Sequence, residues 1–249
     1  VAGGLADFGT GGHVTLESGY SSSSTSGAVL LQTMNSASGG VSGSFNIKTG
    51  TAVLGNAGDV SLSTGSSSGG KAGALNFKIG NTGVGAGADA VLAGGSTTDT
   101  ASGGKVTVVS GWSQRSSSGN VRIETANAGL VGYSGQLQFR TGTTQLGNSG
   151  LISVTSGEAT DGRAGAIHIL VGSGDSGSGG KLSLQAGTSN DQSVSGGSAT
   201  FTGGTGMNAA GGAGGAVYIA GGQANGLTVA AGDVKLSGGL QNHDSGRTA

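Results

Sequence analysis

Asp59 and Asp89 are the two residues whose spacing best suits them to act together. They occupy equivalent places in a recurring motif, thirty residues apart, and Asn120 stands next in the same series. Neighbouring carboxylates can share acid and base roles or hold a hard cation. Two oxygens fall well short of a calcium cage, so Asp59 and Asp89 are weak metal candidates, and solvated turn residues are the plainer reading. Glu158, Asp161 and Arg163 crowd into one connection, the kind of acidic group that could line a polysaccharide-cleaving groove. The stretch 92 residues earlier, 66–71, has no carboxylate, which favours a solvated turn. His13, His168 and His243 lie too far apart in the motif order to ligate one metal. Tyr20 and Trp112 fall at equivalent places just after a motif, where they would serve as sugar platforms or as covers for a corner. No catalytic residue and no cofactor is expected from this inventory.

The elements that must position these side chains follow from a repeat. The unit is Gly-x-Φ-x-Φ-x-x-Gly, with Φ apolar, as in GHVTLESG from Gly12, GDVSLSTG from Gly58 and GKVTVVSG from Gly104. Further copies begin at Gly27, Gly43, Gly73, Ala88, Gly119, Gly135, Gly150, Gly165, Gly180, Gly197, Gly215 and Gly232. Five alternating residues bounded by glycine are the signature of a short, half-buried strand. Alternation with period two and glycine at both ends disfavour a helix.

Segments also match at an offset of 92 residues: GGHVTLESGY from Gly11 with GGKVTVVSGW from Gly103, and TGTAVLGNAG from Thr49 with TGTTQLGNSG from Thr141. Phe45, Phe77, Phe139 and Phe201 all fall in odd-numbered units, which suggests two distinguishable sides. The predicted fold is therefore all-β, a parallel β-solenoid with two short strands per coil of about thirty residues, about 7–8 coils, and a 92-residue three-coil super-repeat. Residues 1–249 form one solenoid, with blocks at about 12–103, 104–195 and 196–249.

Several expectations follow from that fold. Pairs such as Val14/Leu16, Val60/Leu62 and Leu75/Phe77 should point into a core. Leu54, Val84 and Leu146 should plug its open side, and Asn46 should ladder over Asn76. The glycines that open odd units should stack in one column (Gly12, Gly43, Gly73, Gly104), and those of even units, with Ala88 taking one place, in another. The repeat reaches both ends without a recognisable cap, so the expected entity is a segment of, or a protomer in, a longer fibre.

Composition narrows the function classes. The chain has 58 Gly, no Pro, no Cys, 9% charged residues and a net charge of −1. Glycine without a three-residue period excludes collagen, and without cysteine there is neither a disulfide framework nor thiol chemistry. Near-neutral charge and the lack of basic patches argue against nucleic acid, and no apolar run is long enough to span a membrane.

The cadence GGKVTVVSG…SSSGNVRIETA resembles the Gly/Ser-rich repeat regions of surface fibres, adhesin stalks and virus or phage fibres. The resemblance implies an elongated scaffold, extracellular or on a cell or virion surface, and carries over no functional residues. The expected function is a non-enzymatic structural filament that self-associates end to end through stacked β-coils, with lateral packing as a further mode. The alternatives are an adhesin or glycan-binding β-solenoid that takes carbohydrate and, less favoured, a polysaccharide-active β-helix enzyme.

Overall fold

The computed structural model describes residues 1–191, 193–207, 211–225 and 228–239. The chain divides into two units, Val1–Arg122 and Ile123–Ala249. Among the described residues there is no helix, no strand and no sheet, and none is buried. The chain exposes 25325 Å² of surface. A folded chain of 23.2 kDa would expose about 9,700 Å² and an unfolded one about 34,000 Å². The observed area lies nearer the open limit.

These findings overturn the β-solenoid, its two-strand coils and its core. Backbone hydrogen bonds among the described residues join positions 3 to 11 apart, as in Gly40 to Ala37 and Gly215 to Gly204, and none links equivalent glycines thirty residues apart. The stacked glycine columns therefore have no hydrogen-bonded ladder behind them. Phe77, expected in the core, is 80% exposed, and Leu54, expected as a plug, is 95% exposed, with Val84 and Leu146 equally open. The Asn46 amide donates to Ser44 Oγ at 3.3 Å, inside its own unit, instead of laddering over Asn76.

The physical reason lies in the composition of the unit. Ordering a backbone residue costs about 1–2 kcal/mol, and glycine loses more freedom than any other residue. Each unit brings few large apolar side chains, only Val60 and Leu62 in the unit from Gly58, to oppose that cost. Alternation sets which side of a segment is apolar, but it supplies little energy to hold one coil on the next.

Local order survives without the sheet. Asn46 with Ser44, and Gln138 Nε2 donating to Gln136 Oε1 at 2.9 Å, are pairs two residues apart on one side of an extended segment. The first apolar position of each unit is about half covered, as with Val60 (55% exposed) and Val106 (50%). The second is more open, and apolar residues on the opposite side, such as Val91 and Leu170, are more open again.

Among the described residues, seven of the connections between segments are closed at their feet. The amide of Gly12 donates to Gly4 O at 2.9 Å, Gly27 to Gly19 O at 3.0 Å, Gly104 to Gly95 O at 2.8 Å and Gly119 to Gly111 O at 2.8 Å. Loops whose ends meet in this way are compact surface features of the Ω kind. The opening glycine of a unit is needed here for close approach: a methyl on Gly104 would sit 2.9 Å from Gly95 N, and one on Gly150 would sit 3.3 Å from Thr141 Cγ2. None of these opening glycines has positive φ. Left-handed backbone occurs three or four residues earlier, at Gly39, Gly55, Gly85, Gly132, Gly147 and Gly177, where a side chain would be strained.

Candidate functional site

One turn chemistry recurs along the connections, and its order reveals a shorter period than sequence matching found. Before the units at Gly27, Gly73 and Gly119, a serine hydroxyl accepts from the backbone three residues on. Ser24 N donates to Ser21 Oγ, Gly70 N to Ser67 Oγ and Ser116 N to Ser113 Oγ, each at 3.0 Å. These are hydroxyl-mimicked turns, with no positive φ. Ser21, Ser67 and Ser113 are spaced by 46 residues, which is three units and half of the 92-residue offset. A three-unit period exchanges odd and even units, so it does not fit a coil with two distinguishable sides.

Tyr20 and Trp112 sit immediately before Ser21 and Ser113. Both rings are open to solvent, at 90% and 81% exposure. Each therefore stands on a loop pinned twice, by the glycine–glycine bond at its feet and by the serine turn within it. The equivalent places in the intervening and following loops hold Ser66 and Glu158. The corner-cover reading of Tyr20 and Trp112 has no support in this geometry, because neither ring covers anything.

Asp59 and Asp89 are both exposed, and without a sheet no ladder brings their backbones together. Asp89 instead lines a cleft of about 560 Å³ with Phe77, Ile79, Ala90, Val91 and Leu92, to which Asp59 does not contribute. Among the described residues no three of His, Cys, Asp and Glu gather as a metal site would require. His13 and His168 are exposed, and His243 lies outside the described residues. Glu158, Asp161 and Arg163 are exposed in one loop, where Asp161 adopts φ 57°.

One acidic group is electrostatically distinct. Asp191 Oδ1 accepts from Ser193 N at 2.9 Å and from Ser193 Oγ at 2.8 Å. These bonds, the backbone one first, hold its carboxyl below the ordinary carboxylate range. The arrangement is an Asx-type turn in solvent. Lys235 and Asp233 form an exposed ion pair at 3.9 Å.

Sequence reasoning missed the seventh position of the unit. Its side chain sits on the opening glycine of the next unit: Ser18 on Gly27, Thr64 on Gly73, Thr125 on Gly135 and Thr141 on Gly150. The signal was present, since that position holds Ser or Thr in Ser18, Thr33, Thr49, Thr64, Ser110, Thr125, Thr141 and Ser156. It was masked by treating every non-apolar place as equivalent. No protein-family model, curated protein or solved structure matches this chain. Among the described residues no helix is long and apolar enough to cross a membrane.

Proposed function

We propose that this chain is a non-enzymatic structural repeat, the elongated scaffold of an extracellular, cell-surface or virion-surface filament, and that it works by self-association. One observation carries the reading: nearly every described unit presents an apolar pair about half exposed or more, exemplified by Val60 and Leu62. Single exposed apolar residues are normal, but a patch repeated unit after unit needs a partner to persist in water. The Gly-, Ser- and Thr-rich, low-charge composition is the composition of surface-fibre repeats, which supports the location. Stacking of β-coils is no longer part of the mechanism. The test is sedimentation velocity and electron microscopy of the cysteine-free chain across a concentration series. Assemblies that lengthen with concentration are expected, and a monomer at every concentration would overturn the reading.

A second reading, carbohydrate binding, is favoured by the doubly pinned aromatic loops at Tyr20 and Trp112. A rigid, exposed ring costs little further entropy on stacking against a sugar face, which is how such rings serve in recognition. Trp112 is the one tryptophan in the chain, so its fluorescence reports that loop alone. Titration with a panel of soluble oligosaccharides should shift its emission, and Tyr20→Ala and Trp112→Ala should each lower the binding heat read by calorimetry. Unchanged emission and no heat across the panel would remove this reading.

A further inference from the structure

We infer that the apolar pairs of the units are covered by a second copy of this chain lying side by side with the first, in registers that differ by whole steps of 46 residues. The inference rests on the self-associating scaffold reading and adds the surface, the occupant and the alignment. The argument begins with area. The excess of the 25325 Å² surface over that of a compact chain of this mass is on the order of 15,000 Å². A stable pair needs only about 800 Å² from each partner. Covering one apolar row therefore suffices, and far more is on offer.

Periodicity identifies the occupant. Val60 and Val106 are the first apolar residues of units three apart, and Leu75 holds that place in the unit directly after that of Val60. A partner that covers such residues one unit after another must itself repeat at 15 or 16 residues, as this chain does. Charge permits the approach: 11 Lys and Arg stand against 12 Asp and Glu, so like chains meet without strong net repulsion.

The turns set the register. Hydroxyl turns at Ser21, Ser67 and Ser113 recur every 46 residues, with left-handed glycines such as Gly39 and Gly55 in the connections between them. A slip of one unit sets a hydroxyl turn beside a glycine turn of different shape. A slip of three units sets the hydroxyl turns of Ser21, Ser67 and Ser113 beside one another. Units opening at Gly12, Gly58, Gly104 and Gly150 repeat at 46 residues without drift, whereas single units are spaced by 15 or 16 residues as far as Gly180 and by 17 or 18 after it.

The chain has no cysteine, so single-cysteine variants report alignment directly. A disulfide forms only where Cα atoms come within about 4.4–6.8 Å. Full-length Val60→Cys, Val106→Cys and Leu75→Cys chains, each leaving the other pairs intact, are mixed, assembled and oxidised mildly. Val60→Cys should cross-link with Val106→Cys about as well as with itself, and about fivefold or more less with Leu75→Cys. Equal yields in all three mixtures would overturn the register. Assemblies whose cysteines stay free and reactive would overturn the surface while leaving the scaffold reading intact. Failure of the unmodified chain to assemble would remove that reading itself. Because a cysteine could perturb assembly, amide exchange of the unmodified chain gives an independent measure. Residues 58–64 and 104–110 should slow together as concentration rises, and slowing confined to the loops would overturn the proposal.

Discussion

The connections 112–118 and 158–164 hold the same place in the 46-residue repeat and solve the same turn in different ways. In the first, Ser113 Oγ accepts from Ser116 N at 3.0 Å, and no residue has positive φ. In the second, alanine stands at 159 where the serine would be, and Asp161 takes φ 57° instead. Residue 159 still lies beside residue 162: a methyl on Gly162 would lie 3.8 Å from Ala159 Cβ. Removing one hydroxyl thus shifts the demand from a side-chain acceptor to a left-handed backbone, which Asp tolerates better than most residues. Turn chemistry in this chain is decided within seven residues, whatever the segments on either side do.

The largest effect should come from breaking a loop at its feet. Gly104→Ala forces a methyl to within 2.9 Å of Gly95 N, while Gly119→Ala places one 3.6 Å from Ser110 Cβ, an ordinary contact. A backbone bond of this kind contributes about 1 kcal/mol net, so the amide at 104 should exchange about fivefold faster in the first variant. Protection at 119 should change little in the second. Equal acceleration in both would mean that the feet are held by something other than the glycine approach.

Exchanging the two turn chemistries should have a smaller effect. Ala159→Ser supplies an acceptor for Gly162 N, and residue 161 should then leave the left-handed region, visible in its backbone scalar couplings. Asp161→Gly should favour the existing turn, and Asp161→Val should disfavour it by about 1–2 kcal/mol. If residue 161 kept φ near 57° in Ala159→Ser, the hydroxyl would not be what distinguishes the loops.

The smallest effect concerns a third turn chemistry, in which a carboxylate does what the hydroxyl of Ser113 does. Asp191 is held below the ordinary carboxylate range by Ser193. Its folded pKa is depressed, so its contribution to the local turn is present above the ordinary value of 3.8 and is lost as pH falls through the lowered one. Carboxyl NMR titration should show a midpoint below 3.8, moving back toward that value in Ser193→Ala, which removes the hydroxyl bond and keeps the backbone one. A midpoint unchanged by Ser193→Ala would assign the shift to the backbone bond alone.

Much of the local structure was legible in the residues. Alternation placed the apolar pairs on one side of each segment, and the exposures of Val60 and Val91 keep that division. The opening glycines were legible as the start of each unit, and none of them has positive φ. The candidate site was less legible. Tyr20 and Trp112 were visible as a repeated pair, but the serine behind each ring was hidden in Ser-rich stretches that read as featureless.

By itself, the sequence determined where each unit begins, which of its side chains share a side, and how little chemistry the charged residues can do together. Those properties depend on neighbours two to seven positions away, and covalent geometry transmits them. Only the tertiary structure decided that coils do not stack within the chain, that Asp59 and Asp89 have no common ladder, and that Leu54 plugs nothing. Such features require contacts between units thirty or more residues apart. Their formation depends on whether burial outweighs the ordering of a glycine-rich backbone, a balance that a repeating pattern of side chains leaves open.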